Sequence, residues 1–337
     1  MRKLFGAWTV LAAVAVCAAW VQADTLVVLN KSEFRAVLID PANGTILAKL
    51  PTGHGAHEVA VSPDGRTAYV SNFGPFAHYA PGDQTHTQPG NTITVIDVMS
   101  HAVKTTWDLG THTGPHGSLV SKDGKYLWVT SESPQSVLEL DTATGKVLHV
   151  WPTTQQRTHM VLITPDEKKF YVTNTVSGST SVIDRATGKV KVLVTGPGSE
   201  GITMSPDGRE VWVAERTADK IAVISSANDE IVTTFDCGGK GPSRLRFSPD
   251  GKEVWVSNTS SDQEAVFDAH DRKMLTTLPM PKGPSGMVFT PDGKRLYVAD
   301  GRDDEVTVID VAARKVLSQI STGHDSEPDG MAWAARR

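Results

Sequence analysis

The chain has 337 residues, 39% of them hydrophobic, and a formal net charge of −5 at neutral pH. This hydrophobic content suffices for a full core and excludes intrinsic disorder, and the acidic balance excludes a nucleic-acid-binding protein, which needs a basic face. The 29 glycines and 19 prolines are typical of a turn-rich all-β chain, and the two cysteines exclude a disulfide framework.

The N-terminal segment predicts export. Arg2 and Lys3 precede an uncharged apolar run from Leu4 to Trp20, and residues 21–23 (Val-Gln-Ala) form a small-residue cleavage site. The run is at the short limit for a membrane span, which argues against a retained anchor. We therefore predict a signal peptide over residues 1–23 and a periplasmic or secreted protein with no membrane span after cleavage.

A turn motif recurs six times along the rest of the chain. It reads Ser/Thr-Pro/Lys-Asp-Gly/Glu, a combination that favours a β-turn, because proline presets φ and glycine accepts positive φ. The steps between its aspartates are 59, 43, 41, 43 and 42 residues. The six aspartates are Asp64, Asp123, Asp166, Asp207, Asp250 and Asp292.

A predicted strand follows each turn and carries an aromatic residue, a valine and two small or polar residues. A second strand then ends in most units at a turn-forming acid, and a β-branched strand closes the unit. Four short strands in about 42 residues predict a propeller blade, with the aromatic residues packed between blades. The six strands with the aromatic residue contain Tyr69–Asn72, Trp128–Ser131, Tyr171–Asn174, Trp212–Glu215, Trp255–Asn258 and Tyr297–Asp300.

The two ends of the chain supply a seventh unit. Residues 27–30, 37–40 and 45–50 align with the last three strands of a blade, and residues 329–333 align with the missing first strand. We predict an all-β, seven-bladed β-propeller over residues 24–337. Its blades are four-stranded, and pairing of the C-terminal strand with the N-terminal strands closes the ring. An insertion at about residues 74–90 interrupts the first complete unit.

The repeat resembles the YVTN-type β-propeller repeat, whose tetrapeptide stands unaltered at residues 171–174. The resemblance covers the whole chain after the predicted signal peptide. It implies kinship with exported bacterial propellers, surface-layer proteins and the haem-bearing propellers of dissimilatory nitrite reductases. It implies an architecture rather than a reaction, since one fold hosts many chemistries.

One repeat position concentrates histidines and acids just before the first apolar residue of each innermost strand. Equivalent positions in a propeller surround its axis, so we predict a transition-metal site, for copper, iron or zinc, at the channel mouth. Glu200 is either a ligand or a partner that orients an imidazole. The predicted ligands are His57, His116, His159, Glu200 and Asp329, and the two remaining units have Ser243 and Ser285.

Other polar residues near this mouth have two possible interpretations each. Five more histidines are secondary ligand candidates, and the alternative for all of them is a wet channel mouth that binds no metal. Arg157, Lys240, Arg244 and Lys282 either attract an anion or are solvated loop charges. Cys237 is either a copper ligand or, as we favour, a small buried residue. The secondary histidines are His54, His78, His86, His112 and His324.

Two functions fit these patterns. The first is an exported binding or accessory protein with a histidine-rich metal site, which presents its mouth to a periplasmic redox or accessory protein. A tetrapyrrole is a less favoured ligand. The alternative is a metal-dependent oxidoreductase or hydrolase that uses the same site, and the sequence does not decide whether the protein is an enzyme. We expect a monomer.

Overall fold

The computed structural model describes residues 24–74 and 89–336, which form an all-β fold without helices. The predicted signal peptide and most of the predicted insertion, including His78 and His86, lie outside the described residues. Within residues 24–74 and 89–336, no helix has the length and apolar character needed to cross a membrane.

Twenty-eight strands form seven separate four-stranded antiparallel sheets, which confirms the predicted seven-bladed β-propeller. Blade 1 contains β28, β1, β2 and β3, and blades 2 to 7 each contain four consecutive strands from β4 onward. The strands are β1 (Thr25–Asn30), β2 (Arg35–Asp40), β3 (Thr45–Pro51), β4 (Ala56–Val61), β5 (Thr67–Asn72), β6 (Thr92–Asp97), β7 (Ala102–Asp108), β8 (Thr113–Val120), β9 (Tyr126–Ser133), β10 (Ser136–Asp141), β11 (Val147–Pro152), β12 (Thr158–Ile163), β13 (Lys169–Asn174), β14 (Ser179–Asp184), β15 (Val190–Leu193), β16 (Ser199–Met204), β17 (Glu210–Glu215), β18 (Lys220–Ser225), β19 (Glu230–Asp236), β20 (Pro242–Phe247), β21 (Glu253–Asn258), β22 (Gln263–Asp268), β23 (Met274–Pro279), β24 (Pro284–Phe289), β25 (Arg295–Asp300), β26 (Glu305–Asp310), β27 (Lys315–Ser321) and β28 (Pro328–Ala334).

The two ends of the chain close the ring as predicted. Strand β28 pairs antiparallel with β1, and Leu26 lies opposite Trp333 in this pairing. The carboxylate of Asp24 accepts hydrogen bonds from Nε1 of Trp333 at 3.0 Å and from the backbone N–H of Arg336 at 2.9 Å. The C-terminal strand therefore covers the edge that β1 would otherwise expose.

Aromatic side chains pack between neighbouring blades, as the repeat predicts. Trp128 of blade 3 contacts Phe170 of blade 4, with ring centroids 5.5 Å apart. Trp212 of blade 5 contacts Phe247 of blade 6 at the same separation. Each such ring buries about 150–250 Å², and at about 25 cal/mol per Å² this stabilises each blade contact by several kcal/mol. Contacts between neighbouring innermost strands join all seven blades into one closed ring.

The recurring turn is stabilised by its own side chains. In blade 2, the hydroxyl of Ser62 accepts the backbone N–H of Thr67 at 2.9 Å, and Asp64 accepts the backbone N–H of Arg66 at 3.0 Å. Gly65 follows at φ +71°, a left-handed conformation that glycine adopts without a steric penalty. These contacts explain why Ser or Thr, Asp and Gly recur at fixed spacing.

Candidate functional site

The backbone of every innermost strand is irregular at the position that concentrates histidines and acids. In β4, Ala56 pairs with Asn72 and Glu58 pairs with Ser71, so that His57 lies in a bulge. The same register shift occurs in the other six innermost strands. A bulge re-aims the side chain of its extra residue. We call these seven residues the ring positions: His57, His116, His159, Glu200, Ser243, Ser285 and Asp329.

A left-handed residue precedes each ring position by two places. Five units have glycine there, which adopts this conformation freely. The other two have Arg157 at φ +59° and Glu327 at φ +51°. These two residues are held in a conformation that disfavours side chains, at a cost of about 1–3 kcal/mol. The five glycines are Gly55, Gly114, Gly198, Gly241 and Gly283.

Three ring positions on consecutive blades bring their imidazoles into contact. The ring centroids of His57 and His116 are 4.2 Å apart, and those of His116 and His159 are 3.8 Å apart. All three side chains are buried. Nδ1 of His116 and Nδ1 of His159 are buried without a hydrogen-bond partner among the described residues. We call His57, His116 and His159 the three-histidine cluster.

The surroundings keep these imidazoles neutral. Burial lowers the pKa of His57 to about 3, although the Asp329 carboxylate opposes this shift. Burial likewise lowers the pKa of His116 and of His159 well below the usual value, and the guanidinium of Arg244 adds to both shifts. A neutral imidazole is the form that binds a metal.

Asp329 contacts the cluster from one side. Its Oδ2 lies 3.1 Å from Nδ1 of His57, without the alignment of a hydrogen bond, and 3.2 Å from Nζ of Lys31. Burial raises the pKa of Asp329, but Lys31, His57 and Arg244 outweigh this effect and hold the pKa well below the usual range. Asp329 is therefore ionised and positioned to orient His57.

Glu200, the other predicted acidic ligand, is paired with arginines. Its Oε1 accepts a hydrogen bond from Nη1 of Arg216 at 2.7 Å and lies 3.6 Å from Nη1 of Arg244. Arg244 also reaches across the ring, from blade 6 to the carboxylate of Glu58 in blade 2. Burial lowers the pKa of Arg244, but the carboxylates of Glu58, Asp329 and Glu200 outweigh it and raise the pKa above its ordinary value. This arrangement is more consistent with an ion-pair role for Glu200 than with metal ligation.

None of the secondary histidines among the described residues makes a ring contact with the three-histidine cluster. His54 stacks on Phe34 with ring centroids 4.6 Å apart, and His324 is 92% exposed beside Asp325. His112 has a partly buried side chain whose Nδ1 has no hydrogen-bond partner among the described residues.

Cys237 agrees with the small-residue interpretation. It is fully buried among apolar residues of blades 5 and 6, and its Sγ donates to the carbonyl of Gly239 at 3.3 Å. Burial raises the pKa of this thiol to about 11, which disfavours the thiolate that a copper ion needs.

Two cavities open beside the three-histidine cluster. One has a volume of about 260 Å³, and all three imidazoles line it together with Phe73 and Arg157. The other has a volume of about 420 Å³ and extends toward blades 6 and 7. Across residues 24–74 and 89–336, no three His, Cys, Asp or Glu side chains converge in the manner of bound metal ligands. The imidazoles are thus adjacent, edge-on between His57 and His116 and tilted between His116 and His159, rather than directed at one point.

Comparison with known proteins agrees with this architecture. A family model described as "Lactonase, 7-bladed beta-propeller" matches residues 159–279, and one described as "YNCE-like beta-propeller" matches residues 237–335. Comparison of the sequence with curated proteins gave no match.

Solved structures with low sequence identity share the fold. Hydrazine synthase of Kuenenia stuttgartiensis is 20% identical with a TM-score of 0.72, over 86% of this chain and 92% of that one. The periplasmic gluconolactonase PpgL of Pseudomonas aeruginosa is 21% identical with a TM-score of 0.72, over 93% and 99%. The dihydro-heme d1 dehydrogenase NirN, in complex with DHE, is 17% identical with a TM-score of 0.64, over 93% and 76%. With its closed ring of seven four-stranded blades, this chain is a seven-bladed β-propeller.

Proposed function

We propose that this protein binds a transition-metal ion at the three-histidine cluster and acts as a binding or accessory protein. The observation that carries the proposal is the contact of three buried, neutral imidazoles from consecutive blades. Imidazole nitrogen suits copper, iron and zinc alike. When bound, such an ion supplies a Lewis acid or a redox centre at the channel mouth.

In this proposal, the rings of the three-histidine cluster turn about χ2 to bring their nitrogens onto one ion. Turning His116 breaks no hydrogen bond of Nδ1 among the described residues, because that atom has none; turning His159 exchanges the hydrogen bond of its ring to the backbone of Glu200 for a bond to the ion. A buried nitrogen without a partner is unfavourable, and an ion would give it one. Metal binding is therefore expected to reorganise the cluster locally while leaving the closed ring of blades in place.

Asp329 has the place of an outer partner in this proposal. A carboxylate that contacts one ring nitrogen of a histidine fixes the tautomer and makes the other nitrogen a better ligand. Oδ2 of Asp329 lies 3.1 Å from Nδ1 of His57 and is held there by Lys31, so a turn of the His57 ring on metal binding would complete this hydrogen bond. Glu200 is proposed to support the mouth through Arg216 and Arg244 and not to ligate the metal.

Metal analysis of protein purified without an affinity tag tests the proposal. After reconstitution with Zn²⁺, Cu²⁺ or Fe²⁺ and removal of free ion, we expect one equivalent of at least one metal. His116→Ala should lose it, whereas His324→Ala should retain it, because His324 is exposed and outside the cluster. A wild-type chain that stays metal-free with all three ions, or equal metal in His116→Ala, would overturn the proposal.

The match to a lactonase family model favours a second candidate, hydrolysis of a lactone. That model begins at His159 and includes Glu200. In this reaction water adds to the lactone carbonyl and the ring C–O bond breaks, which yields a hydroxy acid. Comparing the hydrolysis rate of δ-gluconolactone between metal-loaded wild type and metal-loaded Glu200→Gln and Arg216→Gln variants tests it. A rate no higher than the spontaneous one excludes this substrate.

Export to the periplasm, with a redox or accessory protein as partner, completes the proposal. The predicted mature chain begins at Asp24, whose carboxylate bonds to Trp333 and Arg336 of the closing segment. N-terminal sequencing of the protein from a periplasmic fraction should begin at this residue. A chain recovered with residues 1–23 intact contradicts the predicted cleavage.

A further inference from the structure

Arg157 occupies a place that the fold reserves for glycine. Two residues before the ring position, five of the seven units have glycine in the left-handed region, whereas Arg157 adopts φ +59° there. A non-glycine residue held in such a conformation is strained, and strained residues cluster at ligand sites. We therefore consider which contacts of the Arg157 side chain at the channel mouth could offset the cost of this conformation.

The side chain of Arg157 lies at the smaller mouth cavity. It lines that cavity, it is 46% exposed, and its Nε donates to Oε1 of Glu132 at 3.0 Å. A guanidinium carries donors on all three nitrogens, and the bond to Glu132 uses Nε. The pair with Glu132 fixes the orientation of the planar group beside the cavity, and this bond does not use Nη1 or Nη2.

The rest of this cavity has features of a site for a small organic molecule. Phe73 and Val176 give it an apolar wall, and the volume of about 260 Å³ suits a short-chain compound. Thr175 also lines the cavity, and its Oγ1 is buried without a hydrogen-bond partner among the described residues. The backbone N–H of Thr175 donates to the carbonyl of Arg157 at 3.0 Å, so the two residues lie side by side at the edge of the cavity.

Charge decides the class of ligand. The two arginines that line the cavity, Arg157 and Arg216, are balanced by Glu132 and Glu200. A divalent ion at the three-histidine cluster makes this balance positive. The planar fork of a guanidinium matches a carboxylate, with which it forms strong charge-assisted hydrogen bonds.

We propose that the 260 Å³ cavity binds a small aliphatic carboxylate, with Arg157 as its anchor and Phe73 and Val176 against its carbon chain. This inference rests on the proposed metal site, since the metal supplies the excess positive charge. Thr175 adds a hydroxyl donor at the same end as Arg157.

Isothermal titration of Zn²⁺-loaded protein with butyrate and with its neutral analogue butyramide tests the inference, with zinc content measured in every sample. Butyrate should bind at least about tenfold more tightly than butyramide, and Arg157→Gln should weaken butyrate binding about tenfold at unchanged zinc content. Acetate should bind more weakly than butyrate, because it lacks the chain that contacts the apolar wall.

Two further variants separate a lost contact from a lost fold. Arg157→Gly introduces the residue that five of the other units have, so it should lose butyrate binding without a lower melting temperature. Arg302→Gln removes an arginine that lines the other cavity, and butyrate binding should not change. Wild type that takes up no zinc overturns the proposed function and this inference with it. This inference alone is overturned if zinc-loaded wild type binds butyrate no better than butyramide. It is also overturned if wild type and Arg157→Gln bind butyrate with equal affinity.

Discussion

The hydroxyl of Thr130 donates a 2.6 Å hydrogen bond to the backbone carbonyl of His159, one blade further along the ring. Thr130 is the third residue of its tetrapeptide strand, and the same place in three other blades repeats the contact. In each case, the acceptor is the carbonyl of the ring position in the next blade. The other three bonds run from Ser71 to His116 at 2.7 Å, from Thr173 to Glu200 at 2.7 Å and from Ser257 to Ser285 at 2.9 Å. The repeat motif thus fixes the backbone of the candidate site.

Thr130→Val removes this bond with little change in volume. The carbonyl of His159 then loses a buried donor, so we expect the free energy of unfolding to fall by about 1–3 kcal/mol. The proposed metal should also bind several-fold more weakly, because His159 loses the contact that positions it. Urea denaturation and zinc titration measure the two effects.

Thr173→Val is the matched control for Thr130→Val. Thr173 makes an equivalent bond, but to the carbonyl of Glu200, which we do not propose as a ligand. Its stability should fall by a similar amount while zinc affinity remains that of wild type. Equal losses of zinc affinity in both variants would show that the effect comes from general destabilisation.

Asp329→Asn tests the orientation of His57. The substitution keeps the shape of the side chain and removes the charge that contacts Nδ1 of His57. Outer partners of metal-bound histidines are worth about 10–100-fold in affinity, so zinc should bind more weakly by that factor. Glu200→Gln serves for comparison and should change zinc affinity less than threefold. The reverse order of the two variants would identify Glu200 as the more important carboxylate.

The fold could be predicted from the sequence because each repeat unit contains the turn and strand signals of one complete blade. Turn, aromatic strand and closing strand recur at a similar spacing, and six of the seven blades bury the aromatic ring of this strand against the next blade, as Trp128 does on Phe170. The closing of the ring was also predictable, since residues 329–333 supply the one strand that the first unit lacks.

The sequence could not predict which acids remain available at the mouth. Histidines 57, 116 and 159 came together as expected, because equivalent repeat positions surround one axis. The partner of Glu58 is Arg244, 186 residues away and on a distant blade, and no local pattern encodes such a contact. The strained place of Arg157, in contrast, could have been found by noting the glycine in five aligned units.

Asp300 gives the protein a stability that depends on pH. It occupies the fourth place of its tetrapeptide strand, where four other blades have asparagine. Thr307 donates to its Oδ2 at 2.6 Å, and its Oδ1 is buried without a partner among the described residues. Burial raises its pKa to about 7, and the nearby acids Glu305 and Asp303 add to the shift. The buried group is therefore protonated in mildly acidic solution and resembles the amide of the other blades.

The sign of the effect follows from linkage. Below about pH 4 the Asp300 carboxyl is protonated in both the folded and the unfolded state, so its ionisation does not lower the free energy of unfolding. Between about pH 4 and 7 only the unfolded state ionises, so the free energy of unfolding falls as pH rises. Above pH 7 both states are ionised and the loss is constant. Asp300→Asn should therefore be more stable than wild type by about 2–4 kcal/mol at pH 8 and by much less at pH 4.

Urea denaturation of wild type and Asp300→Asn at pH 4, 6 and 8 measures this difference. Asn258→Asp is the mirror variant, because it places a carboxyl at the same repeat position, which is also fully buried in blade 6. It should lose stability at pH 8 and lose much less at pH 4. A difference between wild type and Asp300→Asn that stays the same at all three pH values contradicts the assignment.

Removal of the closing strand should unfold the ring. Deleting residues 328–337 leaves β1 with an unpaired edge of six buried residues, Thr25–Asn30, and removes Asp329 from the mouth. An exposed apolar edge of this length pairs with other chains, so we expect aggregation and loss of a cooperative thermal transition.

A circular permutant that joins the ends near Asp24 and Arg336, with new termini in the exposed turn between β14 and β15, keeps every strand and is the control. It should unfold cooperatively and retain zinc, because continuity of the sheet, rather than the position of the ends, holds the blades around the three-histidine cluster. A truncated chain that remains monomeric and melts like wild type would show that six blades and a three-stranded remnant suffice.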